Sequence, residues 1–252
     1  MNLQNVEVAK ETQKPLLNSL YTFENFVEGD SNNFAFLAAK SVSSNPEVLY
    51  NPLIIQGGIG SGATHLMQAV GNVMAAQGKV VIYASVEQFL NDFTHHLSNR
   101  TMDRFRDKYR KCDLLLIDDI QFLSGKNQIQ EEFFHTFEAL RNEKKQIIIT
   151  SDKHPKQITE LNEGLKSQIL SGLEVNILPQ ELETKKGIIK KKCEINHLKL
   201  DNEMIHYIAT TIEGNTHKIV GIITKLSAYS QLLKVDITIE IVRNVVESQI
   251  IV

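Results

Sequence analysis

The run Gly57-Gly58-Ile59-Gly60-Ser61-Gly62-Ala63-Thr64 has the residue types that hold phosphate. Glycines let backbone N–H groups turn inward toward phosphate oxygens, and a helix starting behind them adds partial positive charge. The apolar run Pro52-Leu53-Ile54-Ile55 precedes the loop, and a helical pattern from Thr64 to Val70 follows it. Strand, glycine loop, helix is the setting of the phosphate-binding motif G-x-x-x-x-G-K-[ST]. One position departs from it, because Ala63 stands where the lysine belongs. A charged hydrogen bond is worth about 1.5–3 kcal/mol, so its loss weakens phosphate binding by about one to two powers of ten. Gly57, Gly58, Ile59, Gly60, Ser61, Gly62, Ala63, Thr64 and His65 form the expected nucleotide-binding set. Thr64 stands where a hydroxyl coordinates Mg²⁺.

A second run, Leu114-Leu115-Leu116-Ile117-Asp118-Asp119, is an apolar strand ending in two carboxylates. Asp118 is placed to hold Mg²⁺ through water, and Asp119 to position an attacking water. Alone the pattern is weak; about fifty residues after a phosphate loop it gains force. A third run, Ile147-Ile148-Ile149-Thr150-Ser151-Asp152, ends in polar residues. Asp152 is then a sensor of the terminal phosphate, or else Ser151 and Asp152 cap the next helix.

These residues need elements to position them. Apolar runs at Leu53–Ile55, Val80–Tyr83, Leu114–Ile117, Ile147–Thr150 and Val175–Leu178 read as short buried strands. Helical patterns fill the intervals, as in Glu131–Leu140 with apolar residues three and four apart. The alternation predicts an α/β core over residues 21–178, a mostly parallel sheet covered on both faces. Residues 179–252 show helical periodicity and read as a small all-α lid, with its last helix at Asp236–Val246. Residues 1–20 read as a flexible arm.

Composition sets the frame. The 252 residues are 42% hydrophobic and carry a net charge of −3, so no global basic excess advertises nucleic acid. Cys112 and Cys193 lack metal-ligand spacing and read as reduced thiols. No stretch approaches the roughly 18 apolar residues of a membrane span. No secretory pattern opens the chain, so a cytoplasmic location is expected.

Four runs together carry a resemblance: Tyr21–Gly29, Tyr50–Leu53, Leu115–Phe122 and Glu131–Phe137. The chain resembles the AAA+ module of the bacterial replication initiator DnaA over about residues 20–248. The resemblance implies a P-loop NTPase core with a helical lid, ATP or ADP with Mg²⁺, and filament assembly on origin DNA. Family members carry a further DNA-reading helix-turn-helix domain, so origin-box recognition is not expected of these residues. The layout is also similar to that of the DnaA-related regulator Hda, which has a clamp-binding arm and is expected to keep its arginine finger.

Against the family pattern four departures line up. Ala63 replaces the loop lysine. Gly164-Leu165-Lys166-Ser167-Gln168-Ile169 puts Gln168 at the arginine-finger position. Asn215-Thr216-His217-Lys218 puts His217 where the lid arginine contacts phosphate, and Gln128 falls near a basic residue implied in holding single-stranded DNA. An arginine finger contributes about 10³–10⁵ in rate elsewhere. The expectation is therefore a degenerate nucleotide site, with ATP or ADP held weakly or absent. Such a chain works in replication initiation or its regulation by assembling with DnaA or another replication protein. The alternative is an active ATPase, helicase-loader-like or single-strand-binding.

Weaker signals have plain readings. Arg100–Arg110 carries five basic residues interleaved with Phe105 and Tyr109, either a DNA contact or a solvated helix face. Lys185-Lys186 and Lys190-Lys191-Lys192 read as an exposed lid face. His95-His96 lacks a third metal ligand. Gln13-Lys14-Pro15-Leu16-Leu17 loosely matches peptides that dock on the replicative sliding clamp.

Overall fold

The computed structural model describes residues 17–250 except 46, 47, 49 and 213–215. The five predicted apolar runs form β1 (Leu53–Gly57), β2 (Val81–Ser85), β3 (Leu114–Asp118), β4 (Gln146–Ser151) and β5 (Leu173–Ile177). They make one parallel sheet in the order β2-β3-β4-β1-β5. Ten α-helices accompany it among the described residues, six with the sheet and four in a separate lid. They are α1 (Asn33–Ser44), α2 (Ala63–Ala76), α3 (Val86–Ser98), α4 (Met102–Arg110), α5 (Asn127–Asn142), α6 (Glu163–Ile169), α7 (Leu182–Ile195), α8 (Asn202–Thr211), α9 (Thr216–Leu233) and α10 (Ile239–Ile250).

Strand side chains alternate between two cores. Ile54, Leu115, Ile117, Ile147 and Ile149 pack with Phe89, Phe105, Phe133 and Phe137 of α3, α4 and α5. Leu53, Ile55, Leu116 and Ile148 pack on the other face with Leu66, Met67 and Val70 of α2 and Ala35 and Ala39 of α1. Each fully buried Leu, Ile or Phe contributes about 1.5–3 kcal/mol. The lid has a core of its own, built from α7 to α10 around Ile189, Ile208, Ile222, Leu226 and Val246.

Several boundaries differ from expectation for local reasons. The last helix begins at Ile239 rather than Asp236, because Thr238 caps it: the Ile241 N–H donates to Thr238 Oγ1 (3.4 Å). The end of the expected flexible arm is pinned. Leu17 packs against the α2 core, and the Asn18 N–H donates to Gln68 Oε1 (2.8 Å). Of the clamp-like match, residues 13–16 lie outside the described residues, and Leu17 is engaged in that packing.

The basic segment largely serves the interior. Glu132 on α5 accepts from Arg106 Nε (3.1 Å) and Arg110 Nη2 (2.6 Å), and Lys108 pairs with Asp92. Phe105 and Tyr109 are fully buried, and the Tyr109 hydroxyl donates to Asp92 (2.7 Å). His96 Nδ1 lies 2.7 Å from Thr101 Oγ1, and no metal-ligand cluster occurs among the described residues.

Glu132 is 10% exposed and joins α4 to α5 through two guanidinium groups. Glu132→Ala is expected to lower stability by about 1–3 kcal/mol. The check is a lower urea midpoint with an unchanged slope; an unchanged midpoint contradicts the bridging role.

Candidate nucleotide site

Parallel strands place their C-terminal ends along one edge, and the loops leaving that edge build the site. After β1 the chain runs through residues 58–62 into α2. Gly60 and Gly62 adopt left-handed φ values of 73° and 104°. A side chain at Gly62 would also meet the Phe26 ring at 2.9 Å, so glycine is required twice over. The loop and the start of α2 border a cavity of about 440 Å³, closed on other sides by the 21–27 segment, α7 and the start of α9. That size suits a nucleotide-sized ligand.

Beneath the cavity Asp118 is buried at 4% exposure. Its carboxylate accepts from the hydroxyls of Thr64 (3.1 Å), Tyr83 (2.9 Å) and Thr150. Burial raises its pKa, partly opposed by the Thr150 hydrogen bond and reinforced by the charge of Asp119. Burial also raises the Tyr83 pKa, with Asp118's charge adding to it, so Tyr83 stays a hydrogen-bond donor at neutral pH. Asp119 follows in the left-handed region at φ 64°. Its N–H donates to Thr150 Oγ1 (2.9 Å), and its carboxylate accepts from Gln121 Nε2 (2.9 Å). Gln121 reaches across to the third motif as well, accepting from the Asp152 N–H (3.3 Å).

Thr64, Asp118, Asp119 and Asp152 therefore converge as expected. Sequence reasoning missed the residues that hold them, Tyr83, Thr150 and Gln121. The sequence signals only Gln121, two residues after Asp119; Tyr83 and Thr150 become partners through the pairing of β2, β3 and β4. Hydroxyl and carboxylate oxygens of Thr64 and Asp118 are hard donors that suit Mg²⁺. Such an ion would supply charge neutralisation at the phosphates.

His65 also lines the cavity. Its ring stacks on Tyr21 (4.7 Å between centroids), and Nε2 donates to the Thr22 carbonyl (2.8 Å). Its side chain thus anchors the 21–27 segment, and burial lowers its pKa. His217 lines the cavity from the second position of α9. Gln168 on α6 lies away from the cavity, donating to Glu138 Oε1 (3.3 Å). The expected exposed lysine face is only partly exposed. Lys185 donates to the Ile212 carbonyl (3.1 Å), and half-buried Lys191 and Lys192 line the cavity.

Three residues that line the cavity each hold a buried polar atom without a partner among the described residues: Ser61 Oγ, Asp152 Oδ1 and Gln180 Oε1. The other end of Gln180 ties the lid to the loop, Nε2 donating to Thr216 Oγ1 (2.9 Å) and, more weakly, to the Gly60 carbonyl (3.4 Å).

Comparison with known proteins decides the family. The bacterial DnaA ATPase domain description matches residues 17–176. The chain belongs to the bacterial DnaA ATPase domain family. The chromosomal replication initiator protein DnaA of Sulfurimonas denitrificans is 60% identical over 241 residues, covering 96% of this chain and 55% of that protein. The chain thus spans about half the length of the curated relatives it matches. Domain III of the Thermotoga maritima initiator DnaA superposes with a TM-score of 0.90 at 40% identity, covering 93% of this chain and 98% of that one. A replication initiator DnaA bound to AMPPCP and single-stranded DNA gives 0.78 at 40% identity, covering 87% and 69%. The DnaA-like AAA+ core with its helical lid is thereby established.

His65 has a depressed folded pKa, so the folded state binds fewer protons than the unfolded chain below about pH 6.5. Its contribution is fully present above the unfolded pKa and declines as pH falls below it. Lowering the pH from 7 to 5.5 is expected to reduce the urea midpoint of the wild-type protein more than that of His65→Gln. Equal reductions would remove His65 from the account.

Proposed function

We propose that the chain is a nucleotide-responsive assembly module of the replication initiator type, with a nucleotide site depleted of positive charge. The observation that carries this reading is one nucleotide-sized cavity bordered by the glycine loop, Thr64, Asp119 and Asp152, with Asp118 beneath. ATP or ADP with Mg²⁺ at Thr64 and Asp118 is the ligand this set fits, in keeping with the AMPPCP bound to a DnaA of similar structure. Backbone N–H groups of the glycine loop and the α2 N-terminus hold the phosphates.

Three replacements make it a poor catalyst. Ala63 offers no cation, Gln168 occupies the finger position, and His217 occupies the lid-arginine position. On this reading the chain is a pseudo-ATPase acting by protein–protein assembly, with DnaA or another replication protein, in chromosome replication initiation or its regulation. A protomer without a finger can receive a neighbour but cannot complete the neighbour's site. A sliding-clamp contact through Gln13–Leu17 is a lesser part of the proposal.

A second reading, an active ATPase of helicase-loader or single-strand-binding type, draws on Thr64, Asp118 and Asp119 standing together. Arg100 and Arg104, which form no ion pair among the described residues, are the basic side chains of their segment left for a strand.

Titration of nucleotide-free protein with labelled ATP and ADP is the decisive measurement. Micromolar binding is expected, and Ala63→Lys is expected to tighten ATP by about ten- to a hundredfold. Steady-state phosphate release by the wild type is expected to match that of Asp118→Ala. Turnover abolished by Asp118→Ala establishes the second reading, and no binding at millimolar nucleotide removes both.

A further inference from the structure

A nucleotide's phosphate chain brings several negative charges into a cavity whose wall already holds Asp119 and Asp152, with Asp118 beneath. The loop answers with Ala63. Among the described residues lining that cavity, the lysines and arginines are Lys191 and Lys192, both on α7 of the lid. They stand three and four residues after Ile188, which lines the same cavity, so the helical repeat turns all three to one side.

The two lysines are not equivalent. Lys191 has a loose pairing with Glu194 at 3.9 Å, a carboxylate that is mostly exposed, and its charge acts on Glu24. Lys192 is half-buried and has no ion-pair partner among the described residues. It shares the cavity lining with Thr64 and His65 of the first turn of α2. That turn follows the loop whose backbone N–H groups face the phosphates. Burial without a counter-ion disfavours an ammonium, and Lys192 shows this as a lowered pKa. An anion arriving in the cavity reverses that penalty.

We propose that Lys192, seconded by Lys191, is a lid-borne cation that binds the phosphate chain of a nucleoside di- or triphosphate, standing in for the charge that Ala63 cannot supply. This rests on the nucleotide-binding reading above. Lys192 is a binding residue in this account and takes no part in bond making or breaking.

Isothermal titration with ADP and with adenosine, which lacks phosphate, tests it on the wild type, Lys192→Gln, Lys192→Arg and the Lys191→Gln/Lys192→Gln pair. Lys192→Gln is expected to raise the Kd for ADP by about ten- to a hundredfold, and the pair by more. Lys192→Arg should stay within a few-fold of the wild type. Adenosine affinity should not change in any variant, which also shows that each variant is folded. Equal ADP affinity in wild type and Lys192→Gln overturns the proposal and leaves the nucleotide site standing. Parallel loss of ADP and adenosine affinity also overturns it, since that marks a packing role. A wild type that binds no ADP at millimolar concentration overturns the nucleotide reading, and this proposal with it.

Discussion

The C-terminal edge of the sheet is organised around one buried carboxylate, Asp118. Asp118 takes hydroxyl hydrogen bonds from three different elements: Thr64 on α2, Tyr83 on β2 and Thr150 on β4. A buried charge without partners is prohibitive, and hydrogen bonds to a charged group contribute about 1.5–3 kcal/mol each. The phosphate loop, the strand order and the third motif are thus tied to the same two oxygens. Thr150 extends the tie, because its oxygen also accepts from the Asp119 N–H and so holds that residue in its left-handed conformation. A left-handed non-glycine residue persists only where its surroundings over-determine it. Here those surroundings are Thr150 on one side and Gln121 on the other.

Much of this was legible in the residues. Apolar runs marked the strands because a parallel sheet buries both faces, leaving no polar alternation to confuse them. The glycine loop and Asp118-Asp119 were legible because their chemistry demands fixed residue types at fixed spacing. The supporting residues were not. Tyr83 and Thr150 are ordinary strand formers, and only the β2-β3-β4 adjacency makes them Asp118's partners. His65 lines the cavity after Thr64, and only the fold shows that its ring packs against Tyr21 and Phe26.

The lysines of α7 show why a charge run misleads. Lys185, Lys186, Lys190, Lys191 and Lys192 look alike along the chain, and their partners differ. Lys186 pairs with Glu183 along the helix (2.8 Å) and Lys185 reaches a backbone carbonyl, while Lys191 and Lys192 share the side of Ile188. A lysine stem is apolar, so this placement suits the stem, and the head is left seeking an anion.

Where the positive charge sits determines what nucleotide binding does. A lysine in the glycine loop is part of the core and holds phosphate whether or not the lid is near. A lysine on α7 reaches phosphate only when the lid lies against the loop, where Gln180 and Thr216 both donate to the Gly60 carbonyl. A ligand shifts a conformational equilibrium only by its differential affinity for the two states. Moving the cation from core to lid raises that differential, because the open state then offers neutral loop N–H groups and little else. On the proposed reading, a phosphate held from α7 becomes a stronger determinant of lid position than one held from the loop alone.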